Sequence, residues 1–143
     1  PDNWHLTMAF YGEQPNDAAA VREHLAHAVA GRAALNVHLS GAGNFEQRTL
    51  WVGVGGQGRG VRELMAECQL ADVPFNHHRP HLTVARAGRR TREPWALADF
   101  VRALSVYRGP EFRADRVYLM QSHLGEGRSG GPRYEVIEEY PLF

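Results

Sequence analysis

With 143 residues, 43% of them hydrophobic and 22% charged, the chain is long enough for one compact domain or two small lobes sharing an interface. No run of about 18 apolar residues is present, which excludes a membrane-spanning helix in this sequence, and a formal net charge of +0 excludes a molecule that draws in polyanions by total charge alone. All sixteen basic residues are arginines, so a transferase that stores an adenylate on lysine is excluded as well, whereas arginine's planar fork suits phosphate.

Trp4 to Tyr11 is predicted as a strand, ended by Gly12 and by Pro15 soon after. Asn16 or Asp17 caps a predicted helix running to about Leu35, with Val21, Leu25 and Val29 on one face. Leu35, Val37 and Leu39 alternate with Asn36 and His38 as a half-buried strand that Gly41 and Gly43 are expected to break. Leu50 to Val54 follows as an apolar strand with Trp51 expected in the core, and Gly55, Gly56, Gly58 and Gly60 are expected to form a flexible turn. Val61 to about Leu70 has helical spacing, with Cys68 on its apolar face beside Leu64 and Met65. This single cysteine forms no internal disulfide and no Cys-rich zinc site; it is expected as a core thiol, and a reducing cytoplasm is the natural compartment.

Pro80 to Arg86 is predicted as a strand, and Pro94 opens a helix carrying Trp95, Val101 and Leu104. Glu111 to Gln121 and Tyr134 to Tyr140 close the chain as two strands around the loop GEGRSGG. That loop makes a poor phosphate cradle, because no helix with a Lys-Ser/Thr pair follows it. The chain opens at Pro1 with no initiator methionine and no signal-peptide pattern, and further residues upstream are expected.

One short pattern recurs: NWHLTMAFYG near the start is echoed by RPHLTVARAG in the second half. In an extended strand residues i and i+2 share a face. His5 therefore projects with Thr7 and His81 with Thr83, while Leu6, Met8, Leu82 and Val84 face a core. Opening a cyclic phosphate calls for a base that takes a proton from water, an acid for the leaving ribose oxygen, and donors for the non-bridging oxygens. Imidazoles supply the first two near neutral pH, and hydroxyls supply the third. Facing one groove, the two pairs meet all three needs without a metal.

The paired HLTM (His5 to Met8) and HLTV (His81 to Val84) resemble the H-x-T-x motifs of the two-histidine (2H) phosphoesterase superfamily, most closely its RNA 2′,3′-cyclic phosphodiesterase (2′-5′ RNA ligase) family. GNFEQRTLWVGV, RPHLTVAR with its trailing Arg86, and YLMQSHL followed by PRYEVIEEYPL extend the resemblance over almost the whole chain. It implies an α+β fold of two pseudo-symmetric lobes, each an antiparallel sheet with helices outside and the active groove between them. Residues 1–143 would form this single bilobal domain without the strand and helix that usually precede the first motif, which an upstream segment is expected to supply. The resemblance further implies metal- and cofactor-free hydrolysis of RNA or nucleoside 2′,3′-cyclic phosphates to 2′-phosphates by a monomer. His5 would be the proton donor and His81 the proton acceptor, though the near-symmetry of the repeats leaves the two roles interchangeable. A 2′-5′ RNA ligase running the reverse reaction at the same site, and a non-catalytic RNA- or nucleotide-binding module, are the alternatives.

Beyond the four motif residues, Arg86, Phe45 and Tyr11 are the expected substrate contacts. Arg86 is an odd number of residues from His81, so only a bulge or the strand's end would return it to the groove. Phe45 either stacks on a base or caps the core beneath the Gly41–Gly43 turn. Tyr11 and His123 are groove residues or half-exposed sheet residues, and Arg48, Arg89, Arg90 and Arg92 meet an RNA backbone or solvent. His77 and His81 have helical i, i+4 spacing, but Pro80 between them disfavours a helix and no acidic residue lies nearby, so no metal site is expected.

Overall fold

The structure, a computed structural model, describes residues 3–88, 93 and 95–143. Helix α1 (Ala19–Val29) is followed by strands β1 (Leu35–Phe45) and β2 (Thr49–Gly56), helix α2 (Gly58–Cys68), strand β3 (His81–Arg86), helix α3 (Ala98–Leu104) and strands β4 (Arg108–Ala114), β5 (Arg116–His123) and β6 (Arg133–Pro141). The fold is α+β: a four-stranded sheet in the order β3-β2-β1-β4 and a separate two-stranded sheet of β5 and β6, all pairs antiparallel. Among the described residues no helix is long and apolar enough to cross a membrane.

In α1, Val21, Leu25 and Val29 are buried at the expected spacing, and Asp17 Oδ1 accepts the Ala19 amide at 3.3 Å. The helix stops six residues before Leu35 because Gly31 takes the left-handed conformation (φ +66°) and turns the chain. Gly41 and Gly43 do not break β1. The strand runs through both, with a bulge between Ser40 and Ala42 that Gly41 accommodates at φ +63°. Nor do the following glycines form a loose turn: Gly55 and Gly56 end β2, and Gly58 and Gly60 lie in the first turn of α2. Trp95 precedes α3 as an exposed residue, and the expected start at Pro94 lies outside the described residues. The predicted strand from Glu111 to Gln121 is two strands. The chain leaves the four-stranded sheet at Ala114, turns at Asp115 and enters the other sheet at Arg116.

The buried stripe of α2 (Val61, Leu64, Met65, Cys68) is divided between two cores. Leu64 and Cys68 join Val21, Leu25 and Val29 of α1, Val117 and Leu119 of β5, and Tyr140 and Leu142, whereas Val61 and Met65 pack with Val37 of β1. The helix is thus the wall common to both sheets. Met8, just after the first His-Leu-Thr, packs against both clusters.

Candidate active site

The second motif lies on β3, the edge strand of the larger sheet, as expected. The first does not lie on a regular strand: among the described residues, the backbone between Trp4 and Tyr11 pairs only through Leu6, in an isolated antiparallel bridge with Leu82. That single bridge aligns the two motifs. Leu6 lies opposite Leu82, so antiparallel geometry sets His5 beside Thr83 and Thr7 beside His81, with the leucines on one side and the four polar residues on the other.

The imidazoles are oriented by the same device. His5 Nδ1–H donates to the Asn3 carbonyl at 2.7 Å and His81 Nδ1–H to the Arg79 carbonyl at 2.9 Å, each two residues upstream. A carbonyl only accepts, so each neutral ring carries its proton on Nδ1 and leaves Nε2 with a lone pair. Among the described residues neither Nε2 is hydrogen-bonded within the protein. Each ring is also held by an aromatic edge contact, His5 against Tyr134 and His81 against Phe45, both with centroids 5.0 Å apart. Thr7 and His81 line one cleft of about 480 Å³ together with Phe45, Asn76 and Arg79. His5 and Thr83 adjoin it through the Leu6–Leu82 bridge rather than lining it.

Register explains the remaining side chains. Directly opposed residues in an antiparallel pair share a face, so Phe45 with Thr49, Gly43 with Trp51, and Trp51 with Thr83 form one continuous surface. The β2–β3 ladder shifts between Leu50 and Trp51, which face Ala85 and Thr83, so Val84 is an extra residue in β3. This bulge reverses the parity and pairs Arg86 with Thr49, on the face of Thr83. Arg86 is exposed and has no ion pair among the described residues. Phe45, 41% exposed, stands on the same surface at the end of β1 rather than capping a core.

Trp51 was expected in the core and is half-buried on this surface, 5.5 Å from Phe45 and 6.2 Å from His81 between centroids. Leu50 and Val52 take the buried positions on either side, so strand alternation was the signal that distinguishes Trp51 from them. Gly43 makes room for the indole, since a Cβ there would collide with the Trp51 ring. Tyr11 is placed elsewhere. It packs against the α1–β5–β6 core, its hydroxyl donates to the Cys68 carbonyl at 2.6 Å, and burial pushes its phenol well above the usual range. His123 contacts Glu135 at 2.9 Å across the smaller sheet, and Arg48 donates to the Ala87 carbonyl at 3.2 Å. Arg89, Arg90 and Arg92 lie outside the described residues. The stretch Asn76–Arg79, whose part in the cleft the sequence did not signal, forms one of its walls. Among the described residues no three His, Cys, Asp or Glu side chains converge as a metal-ligand set.

An antiparallel α+β fold with two His-x-Thr segments set side by side through their central leucines defines a two-histidine phosphoesterase. The chain belongs to the 2′-5′ RNA ligase superfamily, whose family model matches residues 3–126. It is 29% identical to a Geobacillus stearothermophilus protein named RNA 2′,3′-cyclic phosphodiesterase, over 99% of this chain and 46% of that protein, so it spans about half of that relative's length. A protein of the same name from Aeropyrum pernix is 30% identical, over 96% of this chain and 81% of the relative. Among solved structures, TT0787 of Thermus thermophilus superposes with a TM-score of 0.62 at 25% identity, covering 97% of this chain and 78% of that one. E. coli LigT, crystallised with NADP+, shares the fold at a TM-score of 0.67 and 20% identity, covering 99% of this chain and 77% of its own.

Proposed function

We propose that this chain is an RNA 2′,3′-cyclic phosphodiesterase that opens the cyclic end to a 2′-phosphate by paired-histidine acid–base catalysis. The observation that carries the reading is the shared orientation of the two rings, each holding Nδ1–H on a backbone carbonyl, in residues that the Leu6–Leu82 register sets opposite the other motif's threonine. The two relatives named for this activity support the substrate class.

In the proposed reaction, neutral His81 takes a proton from water at Nε2 as the water oxygen bonds to phosphorus. The P–O3′ bond breaks on the opposite side, and protonated His5 delivers its Nε2 proton to the departing O3′. Thr7 and Thr83 donate hydrogen bonds to the non-bridging oxygens, where negative charge builds up. Arg86 adds a fixed positive charge, and Phe45 offers a face to the terminal base. Proton exchange with solvent resets both rings. No step calls for a metal or an organic cofactor, so a chelator should leave the rate unchanged.

The test is product analysis on a short RNA with a 2′,3′-cyclic end. The expected product is a 2′-phosphate, formed along a bell-shaped pH–rate profile that reports one acid and one base. A 3′-phosphate, or no turnover, refutes the reading. The superfamily's name favours a second activity worth one added arm, ligation at the same site, in which the 5′-hydroxyl of a second RNA replaces water as the nucleophile and the P–O3′ bond again breaks. A 2′-5′ linked product in that arm would identify it.

A further inference from the structure

A second cavity, of about 410 Å³, is lined by Trp51 and not by His81. The two hollows share Asn76, His78 and Arg79 as a common wall. Arg59, Arg62 and Arg79 line the new one, and among the described residues no carboxylate does. Arg59 meets Glu63 at 2.9 Å. Arg62 and Arg79 have no ion pair among the described residues; each lies over an aromatic ring at 5.5 Å, Phe75 and Trp51 respectively.

Two buried polar atoms of lining residues have no hydrogen-bond partner among the described residues. His78 is only 5% exposed, and its Nε2 is unbonded, as is Nε1–H of Trp51. A buried group left without a partner is destabilising, and native structures rarely tolerate one unless something else satisfies it. Both residues line the cavity, and a small turn of either ring would bring its N–H to an oxyanion there. The first turn of α2 enters the same cavity through Gly58 and Arg59 and bears no acidic residue and no side-chain cap, so its amides and the positive end of the helix dipole favour an anion too. The Gln57 side chain, at the cap position, is occupied with the Asn36 amide.

We propose that this cavity is a second phosphate subsite, which takes a backbone phosphodiester of the same RNA strand whose cyclic end occupies the His–Thr cleft. Arg62 and His78 would bind the phosphate oxygens, with the wall of Asn76 and Arg79 between the two phosphates. Strand direction follows from the cyclic-end assignment above, on which this subsite rests: the second phosphate lies 5′ of the terminal nucleotide. A short RNA therefore engages both hollows, and a mononucleotide only one.

The test measures binding of product-form ligands, so it reads the subsite even where the hydrolysis assay fails. A trinucleotide with a terminal 2′-phosphate, a nucleoside 2′-phosphate and inorganic phosphate are each titrated into wild type, Arg59→Gln and Arg62→Gln. Both arginines are exposed, and circular dichroism checks that the variants fold. Wild type should hold the trinucleotide roughly tenfold tighter than the mononucleotide, the scale of one charge-assisted phosphate contact. Arg62→Gln should remove most of that ratio and flatten the trinucleotide's salt dependence by about 0.7 in log K per log salt. An unchanged ratio in both variants overturns the proposal, as does an equal loss for both nucleotides. A second equivalent of inorganic phosphate bound with no trinucleotide advantage identifies a free-anion site and overturns the RNA assignment.

Discussion

At the residue scale, tautomer control is what the two motifs share. A neutral histidine with Nδ1–H tied to a backbone carbonyl is a base at Nε2, and the same ring with one more proton is an acid at Nε2. Because the acceptors are the main-chain oxygens of Asn3 and Arg79, the orientation survives substitution of either side chain. His5→Ala and His81→Ala should each lower kcat on a nucleoside 2′,3′-cyclic phosphate by about 10² to 10⁴ with little change in Tm; near-wild-type turnover in either variant rules out the acid–base pair. Replacing Thr7 or Thr83 by valine removes a donor at nearly constant volume and should reduce kcat by about 10². If KM rises instead while kcat holds, the threonines bind the ground state and do not favour the transition state.

At the element scale, two irregularities shape the groove. The extra residue Val84 in β3 returns Arg86 to the surface that carries Thr83. Arg86→Gln should therefore weaken cyclic-phosphate binding, read as a KM increase of roughly tenfold, and an unchanged KM would leave the arginine outside the site. The close approach of Gly43 to Trp51 is the second. Gly43→Ala forces the indole off its present position, at an overpacking cost of about 1–3 kcal/mol. The expected readout is a shift in tryptophan emission together with reduced activity, since Trp51 adjoins both Phe45 and His81. Unaltered emission and activity would show that the indole has room to spare. Of these features the sequence carried the alternation that separates Trp51 from Leu50 and Val52, but neither the bulge nor the close approach, which exist only through the partner strand.

At the scale of the whole molecule, α2 joins the two sheets, and Cys68 at its end is fully buried. Burial pushes its thiol up to about 11 from the usual 9.0, because a thiolate there would lose its hydration. The unfolded chain therefore releases this proton first as pH rises. The stabilisation of the neutral thiol is complete below pH 9.0, and it declines as pH climbs toward 11, by about 3 kcal/mol in all. Chemical denaturation of wild type and Cys68→Ala across pH 8–11 checks this, with the alkaline loss smaller in the variant; parallel slopes would dissociate Cys68 from it. Leu64, on the same helix, should cost about 2–5 kcal/mol on truncation to alanine, lowering one cooperative transition because α2 belongs to both cores.

The helices α1 and α2 with their buried faces, and the extended character of β1, β2, β3 and β6, were settled by the sequence alone. Each of these depends on side chains no more than four residues apart, where periodicities of 2 and 3.6 act directly. What only the tertiary structure decided depends on partners distant along the chain. The isolated Leu6–Leu82 bridge replaces a full strand at the first motif, and the path from β4 to β5 switches sheets at Asp115. Tyr11 turns toward the Cys68 carbonyl, and β1 continues through two glycines because neighbours on both sides hold it. Hydrogen bonding between strands is blind to sequence separation, so local composition predicts that a segment will extend and leaves open what it will extend against.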